Sequence, residues 1–165
     1  DGMELLRRLC GDKLILGCGV PVMPAFGVVD YCRISCDVGL DWNNNFIVRS
    51  ANRETVSTRR AVLNSVFHRQ LNGRAYLSDP DVFFLREDNI KLTAEEKYTL
   101  ATVNSLFGGV LLCSDDMGGY TPEARRAYEQ LLRNRDARNI RVMNDGTGLS
   151  VSYDLDGAEE ILSIE

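Results

Sequence analysis

The segment at residues 28–37 carries a row of polar side chains at every second position, namely Tyr31, Arg33, Ser35 and Asp37. Because side chains alternate across a β-strand, these four share one face, and the opposite face is mostly apolar. If the polar face lines a pocket, the guanidinium can bind a polar ligand and the carboxylate can exchange a proton with it. If the face points to water, the same two groups form an ordinary surface ion pair.

Further carboxylates lie beside apolar segments at two other places. Asp79 and Asp81 flank a proline ahead of one apolar run, and Asp115 and Asp116 directly follow another. Adjacent carboxylates on a strand point to opposite faces, which argues against a divalent-metal site at the second place. We expect no metal and no cofactor. The alternative is a metal-dependent hydrolase that uses all four acids, which a strong chelator would inactivate.

Strand and helix patterns alternate along most of the chain, as judged from the spacing of apolar residues and from capping signals. The predicted elements are, in order, a helix that ends at Cys10, a buried strand at 13–18, a loop at 19–27, the strand at 28–37, a polar connection at 39–56, a helix at 57–72, a buried strand at 81–85, a helix that begins after Thr93, a buried strand at 110–113 and a helix that begins after Thr121. This alternation predicts a parallel sheet with both faces covered, so that the polar row is not simply solvated. In such folds ligands bind at the carboxyl ends of strands, where Asp37 and Asp115 are expected.

The last part of the chain has a different texture. From residue 139 onward the sequence alternates and is rich in turn residues, with Asp-Gly pairs at 145–146 and 156–157. An Asp-Gly pair between alternating segments is typical of a β-hairpin. We therefore expect antiparallel hairpins at the C-terminal end.

The composition is that of an ordinary globular protein, with 165 residues of which 44% are hydrophobic and 26% are charged. The formal charge of -5 and the scattered basic residues argue against nucleic-acid binding. We expect no membrane association, because the sequence has neither an apolar run of roughly 18 to 20 residues nor a signal-peptide pattern. The five cysteines are expected to be reduced, which favours a cytoplasmic location.

Four stretches together resemble the melibiase-type α-galactosidases, a glycoside hydrolase clan. They are Gly-Cys-Gly-Val-Pro at 17–21, Gly-Val-Val-Asp at 27–30 followed by Arg-Ile-Ser-Cys-Asp at 33–37, Ser-Asp-Pro-Asp at 78–81, and Leu-Leu-Cys-Ser-Asp-Asp at 111–116. The resemblance implies an α/β fold in which residues 1–138 form the C-terminal half, strands five to eight, of a (β/α)8 TIM barrel. Residues 139–165 would then begin the antiparallel β-domain that follows the barrel in this family.

The resemblance also implies roles for six residues. By position, Asp37 matches the family's general acid/base, Arg33 matches the arginine that holds the sugar, and Asp81 matches a carboxylate of the galactose pocket. Cys18 and Gly19 fall in the loop that shapes the subsite around the sugar's 2-position. We interpret Trp42 as an aromatic platform on the aglycone side. A general acid must hold its proton near neutral pH, and a nearby cation opposes this. We therefore interpret Arg33 as a group that positions the sugar and stabilises the carboxylate after proton transfer.

The catalytic nucleophile of the family has no match in this sequence. Retaining glycosidases need two carboxylates about 5 to 5.5 Å apart, one as acid/base and one as nucleophile. The family carries the nucleophile on its fourth strand in a Lys-Trp-Asp-like motif, which is absent here. The chain also begins without methionine and inside a predicted helix. We expect half a catalytic site that is inactive alone and whose partner is the missing N-terminal half of the barrel, or a second copy.

The leading hypothesis is a part of a retaining α-galactosidase that hydrolyses terminal α-linked galactose from oligosaccharides or glycoconjugates. Within the same class, an α-N-acetylgalactosaminidase or a galactosyl-transferring relative would use the same acid/base. A non-catalytic carbohydrate-binding α/β module belongs to a different class and stays open. Substitution of Asp37 by Asn separates the classes, because an enzyme loses most of its rate and a binding module changes little.

Overall fold

The computed structural model describes residues 2–43, 56–146 and 148–164. Its helices are α1 (Gly2–Cys10), α2 (Val22–Ala25), α3 (Thr58–His68), α4 (Ala94–Phe107) and α5 (Pro122–Arg133), with short 3-10 helices at Met117–Gly119 and Asn134–Asp136. Its strands are β1 (Leu16–Gly17), β2 (Tyr31–Arg33), β3 (Leu77–Asp79), β4 (Val82–Phe83), β5 (Leu112–Cys113), β6 (Arg138–Asn144), β7 (Leu149–Leu155) and β8 (Ala158–Ile164). The polar connection expected at 39–56 lies largely outside the described residues.

Five of the strands are parallel and alternate with helices. Strands β1, β2 and β3 form one sheet in that order, and β4 pairs with β5. Between β3 and β4 the chain passes through Pro80 and Asp81 and changes its pairing partner from β2 to β5. The predicted α/β class, with parallel strands linked through helices, is confirmed.

The helix boundary signals in the sequence work as expected. Thr93 and Glu96 form a complete capping box at the start of α4, and the Thr121 hydroxyl accepts a hydrogen bond from the first turn of α5. Helix α3 is capped in the same way by Ser57. After α1 the chain takes a left-handed conformation at Gly11, with φ of 56°. These local signals fix the helix starts because each satisfies backbone N–H groups that have no partner within the helix.

The strand predictions are less accurate. The strand expected at 28–37 is reduced to the three residues of β2, because the chain bends at residues 35–36. The strand expected at 13–18 is reduced to β1 and is buried on one face only, since Ile15 lies in the core whereas Leu14 is 73% exposed and Leu16 is 45% exposed. The strand expected at 81–85 is reduced to β4, and β3, which Pro80 and Asp81 separate from it, was not predicted.

Two other expectations also need correction. The loop expected at 19–27 contains α2, which begins directly after Pro21. The helix expected at 57–72 ends at His68, because the Arg69 N–H bonds to the carbonyl of Val66 in a tighter turn. In both places short-range hydrogen bonding, which periodicity does not reveal, decides the backbone path.

The C-terminal strands form an antiparallel three-stranded sheet in the order β6, β7, β8. The expected hairpins are confirmed, and Asp156 and Gly157 make the second turn with φ of 52° and 84°. The inner face of β7 packs into the same hydrophobic cluster as α3, α4 and β4. That cluster is built around fully buried side chains of Val62, Val66, Phe83, Leu100, Val103 and Val151.

A second, smaller cluster lies under β1 and β2. It contains Ile15, Ala25, Val29, Cys32, Ile34 and Tyr76. The apolar side chains around it are less well covered, and Leu9, Leu14 and Met23 are strongly exposed. The five cysteines are free. Among the described residues, no helix has the length and apolar character that crossing a membrane requires.

Candidate active site at the carboxyl ends of the parallel strands

The candidate site is built where β2 and β3 end side by side. Arg33 is the last residue of β2 and lies opposite Asp79, the last residue of β3, in the parallel register. Because both strands run in the same direction, their C-terminal residues meet at one edge of the sheet. This edge is where ligands bind in parallel α/β folds.

Three carboxylates surround the Arg33 guanidinium. Its Nε donates to Asp79 Oδ2 at 2.9 Å, its Nη2 lies 3.0 Å from Asp81 Oδ1, and its Nη1 donates to Asp37 Oδ1 at 3.1 Å. The Asp79 side chain is 0% exposed, Asp81 is 9% exposed and Arg33 is 14% exposed. Asp37 is 93% exposed. In this cluster the carboxylates of Asp79 and Asp81 are therefore buried, and the carboxylate of Asp37 is open to solvent.

The electrostatics of the cluster follow from this burial. Burial on its own lowers the pKa of the Arg33 guanidinium. The hydrogen bond to Asp79 and the negative charges of Asp79 and Asp81 outweigh that effect and raise the pKa above its ordinary value. Arg33 is thus a permanent cation held in place by buried anions.

The turn that carries Asp81 has an unusual backbone. Asp81 has a φ of 75°, in the left-handed region that disfavours side chains with a Cβ. Its N–H donates to Asp79 Oδ1 at 2.9 Å, and its carboxylate accepts from the Val38 N–H at 2.6 Å. The Asn104 side chain of α4 donates to the Asp81 carbonyl at 3.2 Å. Several hydrogen bonds therefore hold this strained residue in one conformation.

The loop after β1 borders the cluster. Cys18 and Gly19 are exposed, and Gly19 has a φ of 72°. The Cys18 thiol is near enough for its charge to contribute to the raised pKa of Arg33. The pKa of the buried Cys32 thiol is also raised, first by burial and then by the charges of Asp79 and Cys18.

Trp42 occupies a different cleft. Its backbone carbonyl accepts from the Arg59 N–H at 3.1 Å, and its half-buried side chain packs against the main hydrophobic cluster. A cleft of about 310 Å³ lies beside it, lined also by Glu95, Thr99 and Ser163. The structure thus brings Arg33, Asp37, Asp81 and the Cys18 loop together and leaves Trp42 on another surface.

The acids that follow β5 take part in a separate hydrogen-bond network. The buried Asp115 carboxylate accepts from the Leu85 N–H at 2.5 Å and from the Tyr120 hydroxyl at 2.8 Å. Burial first, and then the hydrogen bonds with the Cys113 thiol and with Asp115, raise the pKa of Tyr120 far above its usual value. Within residues 2–43, 56–146 and 148–164, no group of three or more His, Cys, Asp or Glu side chains is arranged to hold a metal ion.

Several solved structures are similar to this chain in fold. Over 95% of its length the chain matches an α-galactosidase from Thermus thermophilus in complex with p-nitrophenyl α-D-galactopyranoside, with a TM-score of 0.71 and 27% sequence identity. The same enzyme in complex with stachyose matches 79% of the chain, with a TM-score of 0.68 and 28% identity. The structural neighbours of this chain include α-galactosidases and a β-L-arabinopyranosidase from Geobacillus stearothermophilus. No protein-family model matches the chain.

More distant neighbours have the same fold. α-Galactosidase I from Mortierella vinacea matches 98% of the chain with a TM-score of 0.67 and 16% identity. The resemblance to α-galactosidases predicted from the sequence is confirmed, and these neighbours are glycoside hydrolases. The chain spans only 31% of the Thermus enzyme and 45% of the Mortierella enzyme.

Sequence reasoning missed two residues of the cluster. Asp79 has a role only in the metal-dependent alternative, because the apolar run after Asp81 indicates the strand and Asp79 precedes that run. A strand at Leu77–Asp79 places Asp79 at a carboxyl end and next to Arg33. Asn104 was also missed, although a polar residue on the buried side of α4 is a signal that it has a specific hydrogen-bond partner.

Proposed function

We propose that this chain is the C-terminal half of the (β/α)8 catalytic barrel of a retaining α-galactosidase. Residues 1–138 would supply strands five to eight, and residues 139–165 would begin the β-domain that follows. The observation that carries the proposal is the Arg33 cluster, with the exposed Asp37 beside it, at the carboxyl ends of parallel strands. The similarity to an enzyme solved with two α-galactosides supports it.

In the proposed reaction Asp37 is the general acid/base. Its carboxyl group gives a proton to the glycosidic oxygen as the bond to the anomeric carbon breaks, while a nucleophilic carboxylate forms the glycosyl-enzyme bond. In the second step the Asp37 carboxylate takes a proton from water, which attacks the anomeric carbon and releases galactose. The exposed position of Asp37 supports this role, since a group that exchanges protons with substrate and water must reach both.

The other predicted residues bind the sugar. Arg33 and Asp81 would contact the hydroxyl groups of galactose, as charged donors and acceptors do in polar pockets. Cys18 and Gly19 would border the sugar's 2-position. Trp42 would contact only leaving-group residues long enough to reach its separate cleft.

The nucleophile would come from the N-terminal half of the barrel, which we propose as the partner of this chain. The open face of the first sheet supports this. Leu16, Tyr31 and Leu77 are aligned in one cross-strand row on the same face as Arg33, and both leucines in that row are partly exposed. A sheet face on which exposed leucines lie beside polar side chains needs a covering element.

The experiment is a substrate panel applied to the full-length protein that contains this chain. We expect hydrolysis of p-nitrophenyl α-galactoside and stachyose, with little activity on the matching β-galactoside. A higher rate on p-nitrophenyl α-N-acetylgalactosaminide would instead indicate the related specificity at the 2-position. Galactose binding without hydrolysis of any substrate would indicate a carbohydrate-binding module, and loss of activity with a strong chelator would indicate a metal-dependent hydrolase.

A further inference from the structure

The geometry points to Asp79 as the residue that positions both Arg33 and Asp37 for catalysis. This inference rests on the proposed function and adds a residue to which the glycosidase hypothesis gave no role. Asp79 does not face the open side of the cluster, since its side chain is 0% exposed. It is therefore a positioning residue that acts through its neighbours.

Both oxygens of the Asp79 carboxylate have assigned partners. Oδ2 accepts from Arg33 Nε at 2.9 Å, and Oδ1 accepts from the Asp81 N–H at 2.9 Å. A buried carboxylate destabilises a fold unless it is paired and hydrogen-bonded. The contacts with Arg33 and with the Asp81 N–H offset this effect for Asp79. Loss of the carboxylate releases both partners at once.

The contact between Asp79 Oδ2 and Arg33 Nε controls the orientation of the guanidinium. Arg33 is planar and has its donors in a fixed fork, so that anchoring Nε determines where the two terminal nitrogens point. With Nε on Asp79, Nη2 faces Asp81 and Nη1 faces Asp37. Asp79 thereby directs the contact that holds the exposed carboxylate of Asp37.

The contact between Asp79 Oδ1 and the Asp81 N–H connects Asp79 to Asp37 by another route. The Asp79 Oδ1 contact holds the strained turn at Asp81, and Asp81 Oδ2 in turn accepts from the Val38 N–H at 2.6 Å. Val38 is the residue next to Asp37. The position of Asp37 is therefore fixed by Asp79 from two sides, through a side-chain contact and through the neighbouring backbone.

The test compares Asp79→Asn with wild type in the full-length protein, on stachyose and on p-nitrophenyl α-galactoside. Stachyose has a poor leaving group and depends on proton donation, whereas p-nitrophenolate leaves with little help. If Asp79 positions the acid, kcat/KM on stachyose, which reports the step that needs the proton, should fall ~10- to 100-fold more than kcat/KM on the nitrophenyl substrate. A purely structural role would lower both rates by the same factor, because it reduces only the amount of folded enzyme.

Asp30→Asn is the matched control. Asp30 pairs with Arg7 at 2.5 Å at the other end of the same strand, away from the cluster. This variant removes the same chemical group from an arginine pair and should leave the ratio of the two rates unchanged. Equal losses on both substrates in Asp79→Asn, or a changed ratio in Asp30→Asn, would overturn the inference. Absence of hydrolysis by the wild type would instead overturn the proposed function.

A double-mutant cycle covers the case in which Asp79→Asn fails to fold. The double variant Arg33→Gln/Asp79→Asn removes the buried carboxylate together with its cationic partner, so that no unpaired charge is buried. It should therefore fold at least as well as Arg33→Gln alone. Because Asp79 acts through Arg33 and also through the Asp81 turn, the double variant should change the rate ratio on the two substrates more than Arg33→Gln alone does. An equal ratio in Arg33→Gln and in the double variant would show no effect of Asp79 beyond that of Arg33 and would contradict the second route.

Discussion

Arg33 is shared among three carboxylates rather than paired with one. The two buried partners, Asp79 and Asp81, occupy Nε and Nη2, and only Nη1 is directed to Asp37. A cation paired with Asp37 alone would favour the ionised carboxylate and so oppose proton donation by Asp37. Sharing Arg33 with two other anions weakens that effect, and it leaves the cation able to bind sugar hydroxyl groups.

The ion pair of Asp30 and Arg7 gives a prediction on pH. The N–H of Ile15 first, and the Arg7 guanidinium second, lower the pKa of the Asp30 carboxyl below its ordinary value. A depressed folded-state pKa means that this group stabilises the fold above about pH 4, its unfolded value, and that this contribution is lost as the pH falls through the folded value. Asp30→Asn should therefore be less stable than wild type at pH 7, and the two should converge in acid.

Urea unfolding of both proteins between neutral and acid pH measures this difference. The control is Asp12→Asn, which changes an exposed carboxylate on the neighbouring turn. A stability gap between Asp30→Asn and wild type that stays constant down to the lowest pH would contradict the account.

At the residue scale, sequence reasoning found the chemistry but not all of the geometry. Arg33, Asp37 and Asp81 were predicted as site residues, and the structure brings the three together. Asp79 was missed because its partner is set by the register of β2 against β3, a contact between residues 46 positions apart in the chain. No local pattern contains that register.

At the scale of elements, the end of α4 is fitted closely against β3. The Gly109 N–H donates to the Ser78 carbonyl at 2.8 Å. A Cβ at Gly109 would lie 2.5 Å from Leu77 Cβ and 2.9 Å from Leu77 Cα, which is far inside van der Waals contact. Because β3 carries Asp79, the packing of Gly109 against Leu77 also fixes the position of the Arg33 cluster relative to α4.

Gly109→Ala should therefore destabilise the protein by about 1 to 3 kcal/mol, the usual cost of overpacking a close contact. It should also lower the rate on stachyose more than the rate on p-nitrophenyl α-galactoside, because the displaced strand carries Asp79. Gly119→Ala is the control, since a Cβ there meets no atom within 4 Å. Equal stability of the two variants in urea unfolding would contradict the close packing of α4 on β3.

Helices were predicted better than strands for a physical reason. The capping residues Thr93, Thr121 and Ser57 act within one turn, so the sequence shows both partners of each contact. The parallel strands are only two or three residues long, and their extent depends on partners far along the chain. The interruption at Pro80 and Asp81 also depends on these partners, since the two parts of the segment pair with different strands.

At the scale of the whole molecule, β1 is an edge strand with apolar side chains exposed beside it. Leu14 and Leu16 are both exposed, and among the described residues β1 pairs on one side only, with β2. An unpaired edge with apolar side chains is a template for association. The 165-residue chain produced by itself should therefore form dimers or larger species.

Sedimentation velocity over a range of concentrations tests this prediction. Leu14→Lys/Leu16→Lys should shift the chain toward the monomer, because charged side chains protect sheet edges. The control Phe67→Lys changes an exposed apolar residue on α3 and should leave the association unchanged. A chain that stays monomeric without any substitution would contradict the expectation of an uncovered interface.

The overall architecture was predicted in class and in order. The alternation of capped helices and apolar runs indicated a parallel α/β fold, and the turn-rich end indicated antiparallel hairpins. The division of the parallel strands into two sheets, with β7 packed into the core of the helical part, was not predicted. Long-range packing of this kind has no local signature in the sequence.

The most direct test of the central claim is the kinetics of Asp37→Ala in the full-length protein. We predict that hydrolysis of stachyose falls by about 10²- to 10⁴-fold, the usual contribution of a general acid/base. Release of p-nitrophenol from p-nitrophenyl α-galactoside should be partly restored by azide, which attacks the glycosyl-enzyme without base assistance, frees the nucleophilic carboxylate and yields α-galactosyl azide. An Asp37→Ala variant that hydrolyses stachyose as fast as wild type would contradict the account.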